Sequence, residues 1–365
     1  MKYYQKFSIL FIILCCYFPK LWSAEKSTFN LDVNNSFLLK KRKIKLKTES
    51  VAIETEDPCP WPELADKVCE AENYKFHPVR QKANKVIQKD DFETIASGSF
   101  GRVSGGTIVI DGKEQPGARK DFFSKVGFRE KSVKEYDVLS QISGHVCVPN
   151  VYSLIIGPTL CFMIMDKGGV SLKQLYSEFS GPENEKNFLL LSIKLTEALN
   201  WIHEKKVFHG DLKDENILIS FLESGFELKI VDFGESGGSL IPFDGSIRGS
   251  SFHISPEQFK PDHIPGPHMD TFSAGVLLYK LRYNQIPQKH MSKTFTNDYE
   301  YYTQNCFESD WNLYASKIIK DDIDDIVISH MIHPNPESRL SMKELNLLFQ
   351  EAFKKRFAED SSATN

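Results

Sequence analysis

The sequence predicts an α+β protein of two unequal lobes, a small one built mainly of antiparallel strands and a larger one that is mainly helical. Two observations carry this. Between Asp91 and Met165, short β-rich stretches are broken by glycines, whereas beyond Gly168 the apolar residues fall at helical spacing, as in Leu191, Leu195, Leu199 and Ile202. The composition allows it: 41% hydrophobic and 26% charged residues in a 365-residue chain suffice for a sizeable core. A net charge of -4 gives no general attraction to nucleic acid, so no nucleic-acid partner is expected and any basic function must be local.

Taken in order, the chain opens with Lys2 and Lys6, an apolar run from Phe7 to Phe18, and then Pro19, Ser23 and Ala24. That is the layout of a secretory signal over residues 1–24. The run is shorter than the roughly 20 residues that cross hydrocarbon. Cleavage after Ala24 leaves bulky Trp22 at the third position upstream, so an uncleaved signal anchor is the alternative. The expected location is the secretory pathway or the exterior, with a signal-anchored membrane protein as the alternative.

Residues 25–87 are polar, without sustained helical or strand period, and are read as a partly disordered extension. Its basic run Lys40-Lys41-Arg42-Lys43-Ile44-Lys45 reads as a solvated tail, a processing site or a contact with an anionic membrane. Five of seven cysteines lie beyond the signal segment, an odd number with no zinc-like spacing. Cys59 and Cys69 are the pair to test as a disulfide, with two free thiols as the alternative.

Strands are expected over Phe92 to Ser97, Arg102 to Ile110 and about Ala118 to Phe122, with Asp111-Gly112 as a turn. A helix follows Gly127, runs to Ile142 and stops at Gly144. Two more strands are expected at Val151 to Ile156 and Leu160 to Met165, then helices around Thr271 to Leu281 and Asp322 to His333. The last helix opens on Ser341-x-x-Glu344, a capping box. The folded domain is read as residues 88–357, with a disordered tail over 358–365.

Chemistry-bearing residues come in a fixed order. Ala96-Ser-Gly98-Ser99-Phe100-Gly101-Arg-Val103 lies between two strands, where a lightly built hairpin lets backbone N–H groups approach phosphate oxygens. Gly-Ala118-Arg-Lys120 sits on the third strand, and Glu135 lies four residues before Leu139 on the helix. Then come His209-Gly-Asp211-Leu-Lys213-Asp-Glu-Asn216, Asp232-Phe-Gly234 after an apolar strand, Ser255-Pro-Glu257, Asp270-Thr-Phe-Ser-Ala-Gly275 and Arg339.

This series resembles the protein kinase family across residues 88 to 357. The resemblance implies a two-lobed kinase fold with ATP in the cleft between the lobes and Mg2+ as the metal. Ala96, Gly98, Ser99, Phe100, Gly101, Val103 and Ala118 would cover the nucleotide, with Met165, Asp166 and Gly168 at the hinge. Lys120 would pair with the α- and β-phosphates and be held by Glu135, with Glu130 as the competing partner. Asp211 would accept or orient the proton of the substrate hydroxyl, and Lys213 would neutralise charge on the transferring group. Asn216 and Asp232 would be the magnesium ligands, and Glu257 would pair with Arg339 as a stability element. The implied activity is phosphorylation of Ser and Thr in protein substrates by a monomer.

Three departures stand out: Ala96 replaces a glycine, Arg119 replaces an apolar residue, and Gly210 replaces the arginine of H-R-D. Arg119 is expected to face solvent, because strand neighbours alternate faces. The arginine missing at 210 would normally meet a phosphorylated activation loop, so activity independent of phosphorylation at Ser236, Ser239, Ser246, Ser250 or Ser251 is expected. Lys-Asp-Glu-Asn-Ile-Leu-Ile together with Glu-Leu-Lys-Ile-Val-Asp-Phe-Gly is similar to PIM-type kinases, and a secreted kinase with a basic extension resembles rhoptry-type effector kinases of intracellular parasites. Two other readings stand beside this one: a pseudokinase that scaffolds without turnover, and a small-molecule phosphotransferase, since H-G-D-x-x-x-x-N also occurs there.

Overall fold

The computed structural model describes residues 68–71, 74–76, 78, 80–98, 101–123, 127–157, 160–238, 246–260, 262–291, 298–303 and 306–357. The signal segment, the basic run, Cys59, the side chain of Cys69, Ser99, Phe100, Ser239 and the tail lie outside the described residues.

The small lobe is a twisted sheet. Its strands are β1 (Val68–Ala71), β2 (Tyr74–Phe76), β3 (Arg80–Gln81), β4 (Lys85–Gln88), β5 (Glu93–Ser97), β6 (Gly101–Ile110), β7 (Lys113–Phe122), β8 (Val151–Ile156) and β9 (Cys161–Asp166). The order is β2-β1-β4-β6-β7-β9-β8-β3, with β5 also paired to β6. The long hairpin β6–β7 closes on Asp111-Gly112, both at positive φ, which is the backbone twist that two-residue hairpin turns need. One helix, α1 (Phe128–Ile142), packs beneath the sheet through Glu135, Tyr136, Val138, Leu139 and Ile142.

Two expectations are corrected here. Residues 25–87 were read as an extension without strand structure, yet the sheet reaches back to Val68 and contains β1 to β4. These strands have two to four residues, too short to show alternation. Arg119 was expected in solvent. It does point away from the Lys120 face, but neighbouring side chains on that face enclose it, so Arg119 is buried. It stacks on Phe162, with its guanidinium carbon 4.1 Å from the ring centroid, and reaches Gln88 and Asp121.

The large lobe is mainly helical, after the short strand β10 (Val170–Ser171). Its helices are α2 (Tyr176–Phe179), α3 (Glu185–Glu204), α4 (Pro267–Tyr283), α5 (Pro287–Met291), α6 (Asp298–Thr303), α7 (Cys306–Ile318), α8 (Asp322–His330) and α9 (Met342–Phe357). Leu191, Leu195, Leu199 and Ile202 of α3 are fully buried, as their spacing requires. The helix expected to reach His333 stops at His330, shortly before Pro334. Helices α5 to α7 were not anticipated; aromatic contacts such as Phe272 with Phe307 bury this region. Ser341 and Glu344 form a reciprocal cap on α9: the Ser341 N–H donates to Glu344 at 2.9 Å, and the Glu344 N–H donates to the Ser341 hydroxyl at 3.3 Å.

Between the lobes, β11 (Val207–Phe208) pairs with β14 (Gly237–Gly238), and β12 (Ile217–Leu222) forms a hairpin with β13 (Gly225–Ile230). These pairings bring the loop 209–216 and the turn 232–236 to the cleft. Among the described residues no helix is long and apolar enough to cross a membrane.

Candidate active site

Strand alternation sends Lys120 to the inner face of the sheet, where α1 presents Glu135. The ammonium lies 2.7 Å from both Glu135 carboxylate oxygens and 2.8 Å from Asp232. Glu130, the competing partner, is exposed. Burial alone would lower the pKa of Lys120, but the two carboxylates reverse the direction and hold it above its ordinary value, so it stays cationic. Burial pushes the Glu135 carboxyl up while the Lys120 charge pulls it down; the bidentate contact favours the ion pair. For Asp232 the Lys120 charge and hydrogen bond outweigh burial, and its carboxyl is held low.

Asp270, buried at the start of α4, organises the catalytic-loop backbone. It accepts from the main-chain N–H groups of His209 at 2.7 Å and Gly210 at 2.9 Å, and lies 2.9 Å from His203. Burial would raise its carboxyl, but the His203 contact and these donors hold it low. The His209 ring sits between the Val231 carbonyl on Nε2 and the Asp211 N–H on Nδ1, a pattern that assigns the proton to Nε2 and gives the ring a scaffolding role. Phe233 is fully buried against the same ring.

Asp211 projects into the cleft within a closed triangle. Lys213 donates to Asp211 Oδ2 at 2.6 Å and to the Ser250 hydroxyl at 2.7 Å, and that hydroxyl donates to Asp211 Oδ1 at 2.8 Å. Asn216 donates its amide nitrogen to the Asp211 carbonyl at 2.9 Å, which orients the amide oxygen as its remaining polar end. Lys120, Glu135, Asp211 and Asp232 line one cavity, which Phe122 and Phe128 also border.

At the other end of the cleft, Gly105 pairs with Ala118 and Ala118 with Met165, while Val103 packs on the same core. Gly98 and Gly101 bracket the hairpin turn, with the Gly98 N–H donating to the Gly101 carbonyl at 2.9 Å. Ala96 pairs with Val103. The Asp166 carboxylate points away from the cleft, accepting from Asn150 and Tyr152, so it anchors the hinge strand. Gly168 touches Leu218.

Sequence reasoning missed Ile95, which packs over Gly105; Leu218; and the contacts of Ser250 with Asp211 and Lys213. Ile95 and Leu218 are apolar residues of ordinary strands. Ser250 was one of five loop serines, and nothing local distinguishes it from the others.

The chain matches the model of the protein kinase domain over residues 90–349, well over half its length. The chain belongs to the protein kinase family. This kinase is similar to CBL-interacting protein kinase 10 of Oryza sativa subsp. japonica, 24% identical over 73% of this chain and 58% of that protein. It is 25% identical to CBL-interacting serine/threonine-protein kinase 16 of Arabidopsis thaliana, over 70% of this chain and 54% of that one. Serine/threonine-protein kinase dst2 of Dictyostelium discoideum is 27% identical over 65% of this chain and 22% of its own length. The kinase thus spans between about a fifth and three fifths of these relatives.

Proposed function

We propose that this chain is a protein serine/threonine kinase that transfers the γ-phosphoryl group of ATP, with Mg2+, to Ser and Thr hydroxyls of protein substrates. The observation that carries the reading is the convergence on one cleft of the carboxylate-paired Lys120, Asp232 and the Asp211–Lys213–Ser250 triangle. Bound Mg-ATP would supply the transferable group and neutralise its charge. Asp232 and Asn216 fit a magnesium role: they offer a carboxylate and an amide oxygen at the cleft, the hard donors this cation takes beside phosphate oxygens.

The chain's own part is positioning and charge. Lys120, kept cationic by two carboxylates, meets phosphate oxygens. Asp211 presents a carboxylate to the incoming hydroxyl and takes its proton, and Lys213, 2.6 Å away, offsets negative charge beside it. Gly210 supports activity without loop phosphorylation, since no cation at that position can receive a phosphate. The same proposal includes a PIM-like catalytic loop, a monomer, and a secreted protein whose residues 1–24 are a signal and whose basic run is a solvated tail, with a processing site or a membrane contact as the alternatives.

Incubating the full chain with labelled Mg-ATP and a protein mixture tests this. Label on Ser and Thr supports the reading. Binding of ATP without transfer points to a pseudokinase, and label on choline alone to a small-molecule enzyme. Phosphatase treatment is expected to leave activity intact, and its abolition contradicts phosphorylation independence.

A further inference from the structure

Arg248 is a buried arginine in the segment between Asp232 and Glu257, only 6% exposed. Its Nη1 donates to the Glu235 carbonyl at 3.1 Å and the Ser236 carbonyl at 3.0 Å, and its own main-chain N–H donates to Gln258 at 2.9 Å. Glu235 and Ser236 directly follow Asp232-Phe-Gly234.

The catalytic loop meets the same carbonyl from the other side. Gly210 has φ +79, and a Cβ there would come 2.6 Å from the Glu235 oxygen, so a side chain at 210 is excluded by this arrangement. Gly249, next to Arg248, lies against the Gly210 carbonyl. The Glu235 carboxylate in turn lies 3.5 Å from Lys131, one turn before Glu135 on α1. Glu235 is therefore tied by its carbonyl to the activation segment and by its side chain to the helix that holds Lys120.

We propose that Arg248 is a positioning residue for phosphoryl transfer: a resident guanidinium that holds the turn after Asp232 against the catalytic loop. It does from within the segment what a cation at 210 and an added phosphate would otherwise share. A guanidinium suits the task, because it stays charged when buried and its donors have fixed directions. The inference rests on the kinase reading above.

The test compares full-length wild type, Arg248→Gln and Arg248→Lys, each with and without phosphatase, by steady-state kinetics on one protein substrate, with thermal unfolding to give the folded fraction. Misplacing the turn by about 1 Å is expected to lower kcat of R248Q by on the order of 100-fold per folded molecule, with KM for the protein substrate within about threefold. R248K, which keeps a cation, recovers part of the loss, and phosphatase changes none of the three. R248Q within twofold of wild type overturns the proposal. So does a loss of activity in both variants that only follows the folded fraction. An inactive wild type instead overturns the kinase reading on which this rests, and is seen before any variant is compared.

Discussion

Lys120 shows how a single position joins fold to chemistry. Its ammonium is buried because β7 turns it inward, and it stays charged only because Glu135 and Asp232 lie within hydrogen-bond distance. Glu135→Gln preserves shape but removes the charge that holds the ammonium, so kcat/KM for ATP is expected to fall by roughly 10- to 100-fold, measured on folded protein. An unchanged value would contradict the ion pair's role. Most of the site was legible because its members follow one another in a recognisable order, from Lys120 to Asp232. Arg248 and Ser250 were not, because their partners lie 10 to 39 residues away and only tertiary packing brings them together. Arg119 was misread for the same reason: alternation gave the right face, but not what covers it.

At the scale of elements, a buried pair helps fasten the turn Pro256–Phe259 to the helical lobe. Arg339 donates through two nitrogens to the two oxygens of Glu257, both at 2.8 Å, and its side chain is shielded completely from solvent. Burial would raise the Glu257 carboxyl, yet the Arg339 charge holds it below the usual range. Arg339→Ala strands that carboxylate, and a loss of about 3–5 kcal/mol in unfolding free energy is expected by urea titration. A loss below about 1 kcal/mol would show the pair to be dispensable. Long periodic elements, α3 and the β6–β7 hairpin above all, could be read from the sequence. The strands β1 to β4 could not, since two to four residues carry no readable period and their pairing is non-local in part, as in β1 with β4 and β3 with β8.

For the whole molecule, imidazoles whose pKa is depressed in the fold, buried His253 above all, add to the response to acid. Burial lowers the His253 pKa from 6.5 to about 4, and His268, His290 and His333 are lowered in the same direction and from the same cause. A depressed basic group binds its proton less readily in the folded state than in the unfolded state, so its stability contribution is present above pH 6.5 and is lost as pH falls toward 4. His253 alone is expected to cost about 2 kcal/mol between pH 6.5 and pH 5, and His253→Asn should show a correspondingly shallower decline in urea titrations. An identical slope in both proteins would place the acid response elsewhere. The central claim, that this fold assembles a working phosphotransfer site around Asp211, is tested most directly by single-turnover transfer from labelled Mg-ATP with Asp211→Asn beside wild type. Transfer is expected to fall by about a thousandfold or more while ATP binding stays within a few fold, because the proton acceptor is lost and the phosphate contacts remain. Transfer at the wild-type rate would contradict it.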